Sequence, residues 1–322
     1  MKDNEIKVSV CCITYGQEDY IRQTLDSIIM QKTNFKFELI VANDNSPDNT
    51  KEILKEYEDV SDRNPNCVTR IYNHTKNKGA IENEHFVMSQ GVGEYKTLIE
   101  GDDYWIDENK LQKQVDFLDT HPEFAGVAHE QEIVDINGKY LKKYSDNSKY
   151  AKSIYRFADV KSGKMPFQES SLLARNYWKT EDYSCIYDMQ SIATDKLMFA
   201  WVADFGDIYI MSDAMSAYRI VVNRYNKTVF ESISNGLEYL NKFEKINFKN
   251  HGHIDFSWYK RKIIGDYYLL SFLRKEKRTK EHDKIIKSYS RCPIFIIIIN
   301  RIFIQIVDVI RVKIFNLFRK KK

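Results

Sequence analysis

Apolar and polar residues follow a repeating pattern over the first hundred positions, where short apolar runs each end in a polar turn. The runs occupy residues 8–13, 37–41, 68–72 and 95–99. Between them, apolar residues recur with the helical period, as at Ile21, Leu25 and Ile28. This strand–helix alternation predicts an α/β fold with a doubly wound, mostly parallel sheet. The polar turns would then meet along one edge of that sheet.

The pattern is less regular beyond residue 105. The predicted elements are a helix at 111–118, strands at 124–128, 167–175 and 207–211, a hairpin at 132–140, a helix at 192–203 and helices across 229–290. Asn137-Gly138 is a typical hairpin turn, and Thr194-Asp195 is a typical helix start. Asp48 is predicted to cap the helix that follows residue 48.

The C-terminal tail, residues 291–322, is rich in isoleucine, valine and phenylalanine, with basic residues spaced through it and a cationic end. Its uninterrupted apolar run is far shorter than the roughly 20 residues that a membrane-spanning helix needs. Such a segment is typical of an interfacial helix on anionic lipid. The alternative is a helix packed on the domain or on a partner subunit.

Composition narrows the class of protein. The chain has 322 residues, of which 43% are apolar, and a formal net charge of +3. It can fill a sizeable core, and its near-balanced charge gives no bulk attraction to nucleic acid. The five cysteines form no CxxC pair, which favours reduced thiols in a reducing compartment. No apolar segment follows Met1, so we expect no signal peptide and a cytoplasmic protein.

The fourth apolar run leads directly into Glu100-Gly101-Asp102-Asp103. Carboxylates at the carboxyl end of a buried strand lie where open α/β sheets bind ligands. Their oxygens suit Mg²⁺ or Mn²⁺, which is usually shared with the phosphates of a substrate. The alternative is a solvated turn between a strand and a helix.

Five motifs, including this one, occur in a fixed order within residues 6–130. They are Thr14-Tyr15-Gly16 after the first run, the segment 40–50 around Asn43-Asp44, Asn77-Lys78-Gly79, Gly93-Glu94-Tyr95 and Glu100 to Trp105. In order and spacing the chain resembles family 2 glycosyltransferases of the GT-A fold. Each motif alone is weak, whereas five in order are specific. The resemblance weakens from residue 130 to about residue 220.

This resemblance implies a nucleotide site along the strand-end turns. The residues that would line it are Thr14, Tyr15, Gly16, Glu18, Asp44 and Asn77. Asp44 would accept a hydrogen bond from the imide of uracil or thymine. For Glu18 and Asn77 the alternative is helix capping and turn chemistry.

The resemblance also implies a metal site and a catalytic base. Glu100 and Asp102 take the places of the family's Asp-x-Asp. Asp102 would be the direct ligand of the metal on the diphosphate, with Asp103 next in line. Asp195, at the start of the predicted helix, matches the family's base, and Asp188 is the alternative.

Three departures from the family pattern bear on this site. Asn43 and Asn45 replace an acid and a glycine of the second motif. No arginine follows Asn77-Lys78-Gly79 in the next helix, and no histidine follows Tyr218-Arg219, where many relatives have one that reaches the metal. We therefore expect water to complete the metal shell, or a weaker metal dependence. The Gln-x-x-Arg-Trp motif of processive enzymes is also absent from the sequence, which favours addition of a single sugar.

The expected function is transfer of one sugar from a nucleotide-diphosphate donor, UDP-linked by resemblance, with inversion. The expected acceptor is a saccharide or a lipid-linked oligosaccharide in surface-polysaccharide synthesis, such as capsule, at the inner face of the membrane. Two alternatives are a nucleotidyltransferase and a non-catalytic scaffold on the same fold. The first would need a glycine-rich phosphate loop where Thr14-Tyr15-Gly16 stands, and retention of Asp44, Asp102 and Asp195 argues against the second.

The expected organisation is a catalytic domain at 1–225, divided into a nucleotide half at 1–105 and an acceptor half at 106–225. A helical region at 226–290 would follow, with helices that could form an oligomer contact. The tail at 291–322 would associate with the membrane.

Overall fold

The computed structural model describes residues 5–144, 153–163, 167–187, 194–220, 228–273, 278–289, 293 and 297–298. The chain divides into two compact units. The first comprises residues 1–160, 164–222 and 248–251, and the second comprises residues 161–163, 223–247 and 252–322.

The first unit contains one mixed sheet of ten described strands. They are β1 (Ile6–Thr14), β2 (Lys36–Asn43), β3 (Cys67–Asn73), β4 (Tyr95–Glu100), β5 (Tyr104–Trp105), β6 (Phe124–Val134), β7 (Tyr140–Lys143), β8 (Ile154–Tyr155), β9 (Leu173–Arg175) and β10 (Asp207–Arg219). The main order is β3-β2-β1-β4-β9-β6-β10-β5. The first four strands in this order are all parallel, as predicted, whereas β9 is antiparallel to both β4 and β6.

Helices flank this sheet. The described helices of the first unit are α1 (Ile21–Ile29), α2 (Thr50–Leu54), α3 (Ala80–Gln90), α4 (Lys110–Thr120), α5 (Phe157–Val160), α6 (Ser184–Tyr187) and α7 (Thr194–Phe205). The apolar pattern predicts α1 to α4 and α7, whereas it does not predict α5 and α6. The core forms around β1, which is buried from Val8 to Thr14. Ile21, Leu25 and Ile28 of α1 belong to this core and are fully buried, because their spacing places them on one helical face.

Some predicted boundaries are wrong. Residues 167–175 do not form one strand, because Glu169–Ser171 is a 3₁₀ turn and only Leu173–Arg175 pairs in the sheet. Ser171 Oγ donates to the Gln168 carbonyl oxygen at 2.7 Å, a local bond that competes with strand pairing. The strands predicted at 124–128 and 207–211 continue to Val134 and Arg219, since they pair with each other along this length.

The second unit is helical in its described residues, which confirms the prediction of a C-terminal helical extension. Its helices are α8 (Val229–Phe243), α9 (Ser257–Leu273) and α10 (Lys280–Ser288). Thr228 and Glu231 form a capping box at the start of α8. Among the described residues, no helix combines the length and the apolar character needed to cross a bilayer. Most of the tail at 291–322 lies outside the described residues.

Candidate active site

Two turns meet at the end of β1. The Ile13 carbonyl accepts a hydrogen bond from the Gly101 N–H at 2.9 Å, and the Thr14 carbonyl accepts one from the Asp44 N–H at 3.0 Å. The turn after β4 and the turn after β2 therefore lie on either side of the same strand end. This is the edge at which open α/β sheets bind ligands.

Helix α1 holds the turn after β4 through buried polar side chains. Thr24 Oγ1 lies 2.9 Å from the Gly101 carbonyl oxygen and 2.7 Å from that of Asp103. Ser27 Oγ accepts a hydrogen bond from the Trp105 N–H at 3.0 Å. These contacts fix the main chain from which the acidic side chains project.

Gly101 lies in a slot with no room for a side chain. A Cβ atom at this position would lie 2.5 Å from Gln17 Oε1, 2.9 Å from Thr14 Oγ1 and 3.0 Å from Ile21 Cδ1. A side chain at this position would therefore force these three side-chain ends, which are buried, to move.

The acid cluster, which we define as Glu100, Asp102 and Asp103, concentrates negative charge. Asp102 and Asp103 are buried, and Glu100 is exposed. Asp103 accepts hydrogen bonds from the Arg219 N–H at 3.0 Å and from Ser170 Oγ at 3.2 Å. Even so, burial raises the pKa of Asp103 well above its ordinary value, and the negative charges of Asp102 and Glu100 raise it further.

The chemistry of the acid cluster fits a divalent cation. In the described ranges, no group of three or more His, Cys, Asp and Glu side chains stands ready to hold a metal by itself. Mg²⁺ and Mn²⁺ accept a shell made of one or two carboxylates completed by phosphate oxygens and water. Burial, with the negative charges of Asp102 and Glu100, raises the pKa of Asp103, and a cation beside these carboxylates would favour their ionised form.

Asp44 fixes the turn that follows β3. Its carboxylate is buried and accepts hydrogen bonds from the N–H groups of Lys78 at 2.7 Å and Gly79 at 2.8 Å. Asn77 is exposed, and its Oδ1 accepts a hydrogen bond from the Gly79 N–H at 2.9 Å. Asn77 thus stabilises the turn. The contact of Asp44 with a base stays a prediction, and each carboxylate oxygen has a further lone pair that could accept a hydrogen bond from the base.

The turn after β1 is held by the turn after β2. Gly16 has a φ of +65°, and its N–H donates to Ser46 Oγ at 3.0 Å. Ser46 Oγ in turn donates to Asn43 Oδ1 at 2.6 Å. Asn43, one of the departures from the family pattern, is therefore part of this frame. Thr14 is buried at the base of the turn, and the Tyr15 ring is half-exposed above it.

Glu18 takes part in helix capping. Its carboxylate accepts a hydrogen bond from the Asn49 N–H at 2.8 Å, and its own N–H donates to Asp48 at 3.0 Å. Asp48 supplies the predicted capping contact to α2, although Asn49 occupies the N-cap position and makes no side-chain capping bond. Asp48, one residue earlier, accepts a hydrogen bond from the Thr50 N–H at 3.1 Å.

The predicted base lies at the start of α7, which begins at Thr194. The side chain of Asp195 and all of the alternative, Asp188, lie outside the described residues. The assignment of a base at Asp195 therefore stays a prediction.

Sequence reasoning missed three residues that hold the acid cluster. Arg219 is buried, and its Nε donates to the Asp102 carbonyl at 2.9 Å. Ser170 was hidden because its turn was predicted as a strand. Thr24 could have been found, since Thr24 and Ser27 are polar residues at helical spacing on the buried face of α1.

Comparison with known proteins identifies a matching family. Residues 9–177 match the model of Glycosyl transferase family 2. An uncharacterized protein of Mycobacterium tuberculosis is 34% identical over 221 residues, which cover 66% of this chain and 58% of that protein. Escherichia coli WfaP, a UDP-Glc:alpha-D-GlcNAc-diphosphoundecaprenol beta-1,3-glucosyltransferase, is 28% identical over 122 residues, which cover 38% of this chain and 45% of WfaP. The chain thus spans less than two thirds of the length of these relatives.

Solved structures confirm the predicted GT-A fold. The structure of Staphylococcus aureus TarS 1–349 in complex with UDP-GlcNAc superposes with a TM-score of 0.58 at 17% identity. The superposition covers 88% of this chain and 79% of that one. At this identity the likeness concerns the fold alone.

Proposed function

The chain belongs to Glycosyl transferase family 2, and we propose that it transfers a single sugar from a UDP-linked donor to an acceptor hydroxyl. The observation that supports this proposal is the meeting of two turns at the end of β1. One turn is framed by Asp44, and the other carries a buried acid cluster. In the proposed complex, the nucleotide lies along Thr14, Asp44 and Asn77, with its diphosphate toward Asp102.

Each acid has its own part in the proposed reaction. Asp102 and Glu100 would hold Mn²⁺ or Mg²⁺, which supplies the positive charge that neutralises the diphosphate leaving group. Asp103 keeps the turn in place through Ser170 and the Arg219 N–H. Asp195 would accept the proton of the acceptor hydroxyl during a direct, inverting displacement at the anomeric carbon.

We propose a lipid-linked oligosaccharide of surface-polysaccharide synthesis as the acceptor. The name of WfaP, which describes transfer to a diphosphoundecaprenol-linked sugar, supports this class. The tail at 291–322 would bring the enzyme to the inner face of the membrane, because its basic and apolar composition suits anionic lipid. Co-sedimentation with anionic vesicles tests this point by comparing the full chain with a chain ending at Ser290. Equal partitioning would remove the membrane claim.

A donor screen tests the proposed reaction directly. Purified protein with Mn²⁺ is incubated with UDP-, dTDP- and GDP-sugars, and release of the nucleoside diphosphate is measured. We expect slow hydrolysis of a UDP-sugar and none of the GDP-sugars. No release from any UDP-sugar, with or without membrane extract as an acceptor source, would contradict the proposal.

Substitution of the proposed base separates catalysis from donor binding. Asp195→Asn is expected to reduce transfer by about 10²–10⁴-fold while UDP affinity is retained. Asp207→Asn is a matched control, since Asp207 follows the opposite end of α7 and pairs with Arg156 at 3.3 Å. An unchanged rate of sugar transfer in Asp195→Asn would contradict the assignment of Asp195 as the base.

A further inference from the structure

We infer that Arg219 is the positioning residue of the acid cluster and that its guanidinium sets the affinity of this site for a divalent metal. The inference rests on the proposed function, in which Asp102 holds the metal. It concerns how the protein keeps Asp102 in place before the metal arrives.

The guanidinium of Arg219 joins three separate parts of the first unit. Its Nε donates to the Asp102 carbonyl at 2.9 Å, one terminal nitrogen donates to Gln23 Oε1 at 2.6 Å, and the other donates to the Ile136 carbonyl at 2.9 Å. These partners belong to the turn after β4, to α1 and to the turn between β6 and β7. Because the guanidinium is planar, three contacts in different directions fix its orientation.

Arg219 completes the support of the turn that carries the acids. Thr24 Oγ1 lies within hydrogen-bond distance of the carbonyl oxygens of Gly101 and Asp103. The carbonyl of Asp102, which lies between them, is held by Arg219. Without the guanidinium, the Asp102 carbonyl loses this hydrogen bond, which helps to hold the main chain from which the Asp102 side chain projects.

The position of Arg219 also keeps its contacts well defined. The side chain is 5% exposed, and its guanidinium faces the rings of Tyr20 at 4.8 Å and Tyr104 at 5.3 Å. Its main-chain N–H donates to Asp103, and this bond survives any substitution except proline. A change of the side chain therefore tests the guanidinium alone.

Arg175 provides a matched control. Its guanidinium donates to the carbonyl oxygens of Phe124 at 2.9 Å, Leu118 at 2.8 Å and His121 at 3.2 Å. Its guanidinium also donates to three acceptors, but Arg175 pairs with Tyr95, the first residue of β4, whereas the acid cluster begins at Glu100, the last residue of that strand. An arginine-to-lysine change here tests the effect on folding without touching the cluster.

The experiment measures Mn²⁺ binding rather than turnover. Free Mn²⁺ is followed by its paramagnetic resonance signal during titration of the full chain with saturating UDP. Arg219→Lys keeps the positive charge but loses the planar guanidinium with its three hydrogen bonds. We therefore expect about 10-fold weaker Mn²⁺ binding, as for other residues that orient metal ligands. Arg175→Lys is expected to lower the melting temperature without changing Mn²⁺ binding. The affinity for UDP without metal should be the same in all variants.

Unchanged Mn²⁺ binding in Arg219→Lys, or equal weakening in Arg175→Lys, would overturn the inference. If Arg219→Lys does not fold, Gln23→Ala takes its place. Gln23 is an exposed residue that accepts one of the hydrogen bonds of the Arg219 guanidinium. This variant should bind Mn²⁺ about threefold more weakly, the effect of losing one hydrogen bond, and unchanged binding would again overturn the inference. Absence of UDP-dependent Mn²⁺ binding in the unaltered protein would instead overturn the metal-assisted function on which the inference rests.

Discussion

The carboxylates on the two sides of the β1 end have different partners. On the side of Asp44 and Glu18, the proposed nucleotide side, Asp44 accepts two main-chain N–H groups and Glu18 accepts one. On the acid-cluster side, Asp103 lies beside Asp102 and Glu100, and its pKa is raised well above the ordinary value by burial and by these neighbours. The carboxylates of the first side hold the turns, whereas those of the second side also lie close enough together to raise a pKa.

This difference separates stability from function. Main-chain N–H groups stabilise an ionised carboxylate and tie it to the fold. Buried carboxylates that repel each other destabilise the ligand-free protein, and such arrangements are concentrated at functional sites. We therefore expect substitutions on the nucleotide side to reduce stability, and substitutions in the acid cluster to reduce activity.

The largest expected effect is that of Asp102→Asn. Transfer should fall on the order of 10³-fold, because the proposed metal loses its main ligand. The melting temperature should not fall, since the substitution removes one of the charges that repel Asp103. Donor hydrolysis and thermal unfolding are measured on the same preparation. Near-normal activity of Asp102→Asn would contradict the assignment of activity to the acid cluster.

Asp44→Ala should have the largest effect on stability. The N–H groups of Lys78 and Gly79 lose their acceptor, and the free energy of unfolding should fall by about 3 kcal/mol. Asp44→Asn retains one acceptor oxygen, so its free energy of unfolding should fall by less. Urea unfolding of both variants checks this order, and an unchanged midpoint for Asp44→Ala would show that the turn does not depend on this carboxylate.

Gly101→Ala tests the close approach beneath the acid cluster. Its Cβ would lie 2.5 Å from Gln17 Oε1 and 2.9 Å from Thr14 Oγ1. We expect a loss of about 2 kcal/mol in the free energy of unfolding. Gly236→Ala in α8 is the control, because no heavy atom lies within 4 Å of its added Cβ. The control should be stabilising by about 0.5–1 kcal/mol, and equal effects of the two variants would refute the steric argument.

Asp103→Asn should stabilise the metal-free protein at pH 7. The pKa of Asp103 is raised in the folded state. An acid of this kind favours folding below its unfolded pKa of about 4, and that contribution is lost as pH rises through the folded pKa. Melting temperatures with EDTA between pH 4 and 8 should therefore fall more in the unaltered protein than in Asp103→Asn. If the melting temperatures of the two proteins changed equally with pH, the raised pKa of Asp103 would be contradicted.

The sequence allowed prediction of the first four strands and of the edge where Thr14, Asp44 and Asp102 meet. This was possible because each apolar run ends in a polar turn and parallel strands bring such turns together. Arg219 could not be assigned its role, since its contact with Asp102 joins residues 117 positions apart. Ser170 was missed because local hydrogen bonds outweigh the strand pattern at residues 169–171.

Calorimetric titration with UDP, with and without Mn²⁺, tests the central claim most directly. The claim is that the acid cluster binds the donor diphosphate through a metal while the turns around Asp44 bind the nucleotide. We predict that Mn²⁺ strengthens UDP binding to the unaltered protein, and that Asp102→Asn loses this gain but keeps the metal-free affinity. Equal strengthening by Mn²⁺ in both proteins, or none in the unaltered protein, would contradict the account.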